Sequence, residues 1–131
     1  MTMTQAHINT MDTIVTELAN GKTISEALKT VYDKRTVQIS FTDELFEVDI
    51  QGLGMSNRAT NALLRNHIRT INDVINSNKV KPIKDWRGCG KDVCTEVLET
   101  ILNYYWEHAT TEQQVDFLIN TVVVNEFNAV A

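Results

Sequence analysis

Gly54-Met55-Ser56-Asn57-Arg58-Ala59-Thr60-Asn61-Ala62-Leu63-Leu64-Arg65, answered further on by Gly88-Cys89-Gly90-Lys91-Asp92-Val93-Cys94-Thr95-Glu96-Val97, decides how this chain is read. Ser56 is a natural helix N-cap, because its hydroxyl can accept from an orphan backbone N–H of the first turn. Ala59, Ala62 and Leu63 then recur at i, i+3, i+4 spacing, which predicts a short helix with one apolar stripe. Arg58, Asn61 and Arg65 stand at i, i+3, i+7 and share another face. Two guanidiniums and an amide beside a helix start suit phosphates or a minor groove.

The second run has the shape of a helix-hairpin-helix turn. Gly88 and Gly90 flank one apolar residue, Lys91 follows, and a helix begins at once. Glycine lets the backbone turn tightly and approach another chain, while N–H groups at a helix start attract anions. Taken alone, the turn fits a plain helix–helix connection equally well.

The order Leu53-x-Met55-Ser56-x-Arg58-x-x-Asn61-x-Leu63, then Ile68-x-Thr70-Ile71-x-Asp73-Val74, then Gly90-Lys91 and Glu96-Val97, resembles the C-terminal domain of the bacterial RNA polymerase alpha subunit. The resemblance covers roughly residues 48–107. It implies a compact helical domain that binds A·T-rich promoter DNA weakly, through the minor groove and phosphates, and docks RNA polymerase or transcription regulators. Arg58 matches the family's minor-groove arginine, Asn61 its neighbouring asparagine, Gly90 the glycine whose backbone meets phosphate, and Lys91 a basic position in the same turn. Where family members usually carry a lysine and then a serine, this protein has Asp92 and Val93. An aspartate repels phosphate and a valine offers it no hydrogen bond.

At 131 residues the protein is long enough for one domain, or a small domain with elaborations, and its 43% hydrophobic and 22% charged content is that of a globular protein. No apolar run reaches the length of a membrane span and no basic-then-apolar leader is seen, so cytoplasmic residence is the expectation. The net charge of −5 is uneven: residues 48–107 hold 8 basic and 7 acidic side chains, while both flanking segments are acidic. Any anion-binding surface therefore belongs to the middle. Cys89 and Cys94 have no His or Cys partners at ligand spacing, so neither a metal nor a cofactor is expected. His7, His67 and His108 form no triad pattern, and no phosphate loop or paired-carboxylate motif is present, so the sequence reads as a binding protein and not an enzyme.

The segment 1–47 reads as a helical hairpin plus connector. Met11, Ile14, Val15 and Leu18 make one stripe, stopped by Asn20-Gly21; Thr23-Ile24-Ser25-Glu26 is a capping box that opens a second stripe of Ile24, Ala27, Leu28, Val31 and Tyr32. A DNA-reading helix-turn-helix is the weaker alternative, since Lys22, Lys29, Lys34 and Arg35 are offset by Glu26 and Asp33. Thr36 to Phe41 alternates with strand period, and residues 45–48 fit either a second short strand or a helical turn that follows an extended linker.

Within the domain at 48–109, Thr70 with Asp73 resembles a cap, residues 76–82 read as a polar loop ended by Pro82, and Trp86 reads as a core aromatic. The helix from about Asp92 to His108 carries two adjacent apolar stripes, Val93-Val97-Ile101-Tyr104 and Cys94-Leu98-Leu102-Tyr105. It requires cover on two sides, by flanking helices or by self-association through 92–108. Thr110-Thr111-Glu112-Gln113 is a capping box for an extra C-terminal helix within 110–131, frayed towards its end. The fold expected is mainly α, with a helix-hairpin-helix centre. The functional residues expected are Arg58, Asn61, Arg65, Gly88, Gly90 and Lys91, for DNA, with a protein-interaction module that no longer binds DNA as the alternative.

Overall fold

The computed structural model describes residues 4–33 and 43–130, with side chains at 4–33 and 44–125. The described residues form α1 (Gln5–Ala19), α2 (Ile24–Lys29), α3 (Asp43–Phe46), α4 (Asn57–Arg65), α5 (Ile71–Val80), α6 (Lys91–His108) and α7 (Thr111–Val130), with 3-10 turns at Ile50–Leu53 and Ile83–Asp85. No strand occurs among them; one antiparallel bridge joins Asp49 and Thr70. The mainly α reading holds. Of the two readings for residues 45–48, the helical turn is the one observed, and the alternating stretch 36–41 lies outside the described residues.

The protein divides into two compact units. The first combines residues 1–39 with 106–131. Here α1 packs against α2 and α7. Ile14, Ile24, Ala27, Leu28, Phe117, Leu118 and Val122 are its buried core. Trp106 and Phe117 meet edge to face with ring centroids 5.9 Å apart. Of the stripe expected on α1, Ile14 is buried but Val15 is 50% exposed, because it lies on the flank of the helix away from Ile14. Each of the three helices opens on a threonine box. At Thr23 the partner is Glu26; at Thr110 it is Gln113, whose Oε1 accepts from the Thr110 N–H at 2.8 Å. At Thr4 the reciprocal partner is His7, whose Nδ1 accepts from the Thr4 N–H at 3.0 Å.

The second unit is residues 40–105. Segments 48–50 and 69–71 run side by side, the Ile50 N–H donating to Arg69 O at 2.9 Å and the Ile71 N–H to Val48 O at 3.0 Å. That pairing seats Ile50 and Ile71, both fully buried, in a core with Leu63, Ile68, Val74, Ile83 and Val97. Burying side chains of this size contributes roughly 1.5–3 kcal/mol each, which is what holds so small a unit together.

The Thr70–Asp73 box caps α5 as expected. Residues 76–80, read from sequence as loop, instead continue α5 to Val80. Asn and Ser are poor but tolerated helix residues, Asn76 bonds back to Asn72 at 3.1 Å, and no breaker occurs before Pro82. Asn78 Oδ1 then accepts from the Ile83 N–H at 3.1 Å and turns the backbone into the 3-10 segment. Trp86 is buried, and its indole N–H donates to Lys81 O at 2.8 Å. On α6 the first stripe is covered at Val93, Val97 and Ile101, whereas Leu98 of the second stripe is 49% exposed.

Candidate functional site

The sequence of α4 separates its faces as the spacing requires. Ala59, Ala62 and Leu63 are buried, and Arg58, Asn61 and Arg65 lie outside that core. Ser56 caps the helix, its Oγ accepting from the Ala59 N–H at 3.2 Å.

The same serine is held from the other side by α6. Its backbone N–H donates to Glu96 Oε2 at 2.6 Å and its hydroxyl to Glu96 Oε1 at 2.8 Å. Bonds to a carboxylate are the stronger class, so this clasp fixes the first turn of α4, and with it Arg58, beside the second turn of α6. Ser56 and Glu96 are 40 residues apart, and no local pattern links them.

The other end of α4 is tied to the hairpin. Asn66 is the C-cap, and its Nδ2 donates to Ala62 O and to Arg87 O, each at 2.8 Å, with Cys89 Sγ at 4.0 Å. Next in line, Gly88 has φ +78°, and a Cβ built on it would make only ordinary contact with the Ala62 side chain, at 3.9 Å. A residue with a Cβ is strained at that φ, so glycine is required here by the turn itself. His67 also has φ +63°, an uncommon conformation for a side chain of its size.

Gly90 differs from Gly88. Its φ is not in the left-handed region, and a Cβ built on it meets no atom within 4 Å. Neither turn geometry nor packing inside the fold requires glycine at 90, a property that Gly52 in the first 3-10 turn shares. Gly90 O accepts from the Cys94 N–H at 2.9 Å and so starts α6. The N–H groups of residues 91–93 have no intrahelical acceptor, and they sit where Gly90 leaves open space. Lys91 and Asp92 are exposed there, and Val93 is buried.

Cys89 precedes the cap and Cys94 lies at the fourth helical position, the pair of places a hydrophobic staple occupies. Burial pushes the Cys89 thiol up, and the neighbouring Cys94 thiol adds to it. Burial also raises Cys94, against an opposing pull from Lys84. Both are free thiols kept protonated. Among the described residues no group of three His, Cys, Asp or Glu side chains is arranged to hold a metal, and no helix is long and apolar enough to cross a membrane.

Two ties therefore join α4 at its start to α6 and at its end to the hairpin, and Arg58, Asn61, Arg65, Gly88, Gly90 and Lys91 are all exposed on these elements. The guanidiniums, the amide, the Lys91 ammonium and the N–H groups at the start of α6 are donors suited to an anion. A family model for the C-terminal domain of the bacterial RNA polymerase alpha subunit matches residues 38–103. That span nearly coincides with the second unit. Searches of curated proteins and of solved structures found no match.

Proposed function

The protein belongs to the family of C-terminal domains of the bacterial RNA polymerase alpha subunit, and we infer from this a transcription-related module for binding DNA or proteins. From that premise we propose that its second unit contacts A·T-rich duplex DNA through the α4 face and the hairpin. Arg58 enters a narrow minor groove, Asn61 and Lys91 meet phosphate or sugar, and the backbone at Gly90 donates N–H bonds to a phosphate. The observation that carries this reading is Gly90: a glycine that the fold does not need is explained by an outside molecule approaching its backbone.

The test is an NMR titration with A·T-rich and G·C-rich duplexes at about 50 mM salt, where electrostatic binding is strong. Shifts should cluster on residues 56–65 and 88–93, and Arg58→Ala should abolish them in a folded protein. Binding of equal strength by Arg58→Ala would remove the minor-groove arginine from the reading.

A second reading has its own observation. Asp92 is exposed in the first turn of α6, beside the proposed phosphate position, and places a negative charge there. It favours a module of the same fold that docks RNA polymerase or a transcription regulator without DNA. Absence of any shift with either duplex would decide for this second reading.

A further inference from the structure

The Asn66 tie does more than hold the hairpin. By bonding Arg87 O at 2.8 Å from the end of α4, it brings the backbone of Arg87 to the C-terminal end of the helix, next to Arg65 and His67. Arg65 is the last residue of α4, and both it and Arg87 are exposed. Among the described residues neither Arg65 nor Arg87 has a carboxylate partner within ion-pair distance. Asp73, the acid nearest in sequence to Arg65, is spent on the Arg69 and Thr70 N–H groups at 2.9 and 3.2 Å. Asp85, two residues before Arg87, sits in the 3-10 turn on the far side of Trp86 in sequence. Like charges gathered without a neutralising partner repel one another, and an incoming anion relieves that repulsion.

Resting on the DNA reading above, we propose that Arg65 and Arg87 form a second phosphate contact, at the end of α4 opposite Arg58. Seven residues separate Arg58 from Arg65 along the helix, a rise of roughly 10 Å. The second unit thus offers cations at two places for a duplex backbone, the second of them where the hairpin meets the end of α4. The second contact reads no sequence: it is guanidinium to phosphate, and adds the same affinity on any duplex. It also places two positive charges on the binding edge of a protein whose Asp92 subtracts one.

Fluorescence anisotropy with a labelled A·T-rich and a labelled G·C-rich duplex, across several salt concentrations, tests this on the full-length protein. Arg65→Gln with Arg87→Gln should lower the log–log salt slope by roughly 1.8 and weaken both duplexes equally. Arg65→Lys with Arg87→Lys, which keeps both charges, should hold the parent's slope. A folded Gln pair with the parent's slope and affinity overturns the proposal, while loss of binding in Arg58→Ala in the same experiment leaves the DNA reading standing. A parent protein that binds neither duplex overturns the DNA reading, and this inference with it. If the Gln pair does not fold, the Nε signals of Arg65 and Arg87 in the parent decide: both should shift on titration, and unmoved signals in a bound complex overturn the contact.

Discussion

Replacing Glu96 with alanine should free the first turn of α4 from α6. The carboxylate accepts two bonds from Ser56, at 2.6 and 2.8 Å. A bond to a charged group contributes about 1.5–3 kcal/mol where water is excluded, but both of these are solvent-exposed and water replaces the lost partner. The pair together is therefore worth about 1–2 kcal/mol. Ser56→Ala loses the hydroxyl bond and the cap, a cost of about 1 kcal/mol for the cap alone. In the double variant the hydroxyl bond is counted once instead of twice, so the two changes should couple by at least about 0.5 kcal/mol. Urea unfolding followed by Trp86 fluorescence, in a Trp106→Phe background so that only the second unit reports, gives these numbers from midpoints at constant slope. Glu96→Gln should cost less than Glu96→Ala, because the amide oxygen still accepts from the Ser56 N–H while its NH2 can donate to the serine hydroxyl, which reverses that bond. A loss below about 0.5 kcal/mol for Glu96→Ala, or strict additivity with Ser56→Ala, would refute the clasp as the element that fixes α4.

Asp92→Lys should raise affinity for an A·T-rich duplex and steepen its log–log salt dependence by roughly 0.9, while the loss of an acid from the first turn of α6 costs roughly 0.3–1 kcal/mol in urea unfolding. His67→Gly should stabilise the second unit by up to about 1 kcal/mol, since glycine adopts φ +63° without strain; a destabilised variant would mean the imidazole holds the turn. At alkaline pH, the raised Cys89 and Cys94 thiols have a definite sign. Both states are protonated below the unfolded thiol range near ~8.5, and above it the unfolded state loses protons first, so stability falls as pH rises towards the folded values. Cys89→Ala should flatten that fall in an unfolding series from about pH 7 to about pH 10, and an unchanged alkaline slope would count against burial of the thiol.

What the sequence made legible was whatever repeats locally. Thr23, Thr70 and Thr110 each announce a helix by a box closed at the third residue on, and the buried and outer faces of α4 follow from spacing alone. The family order Ser56, Arg58, Asn61, Gly90, Lys91 was legible as well, because it is a pattern of residue types at fixed intervals. Three features were not. Thr4 opens α1 through His7, a side chain that serves as the reciprocal acceptor only in one tautomer and rotamer. Residues 76–80 have turn composition, yet the helix continues because Val74 upstream and Ile83 downstream are both buried and the span between them suits a helix. The Glu96 and Asn66 ties join segments distant in sequence, and only the packed unit brings their atoms within bonding distance.

The Asn66 amide spends both its hydrogens on carbonyl oxygens, one on Ala62 and one on Arg87. Hydrolysis of that amide, the commonest slow chemical ageing of an asparagine side chain, exchanges the NH2 for an oxygen of nearly the same size. Two donated bonds then become two oxygen–oxygen repulsions, and a carboxylate is left where the helix end meets the hairpin. A single atom thus separates a hairpin latched to its helix from one pushed off it. The His67 N–H, whose nitrogen must attack the amide carbon for that ageing to begin, is held by its bond to Leu64 O at 3.1 Å. The neighbouring residue's own backbone bond therefore guards this joint.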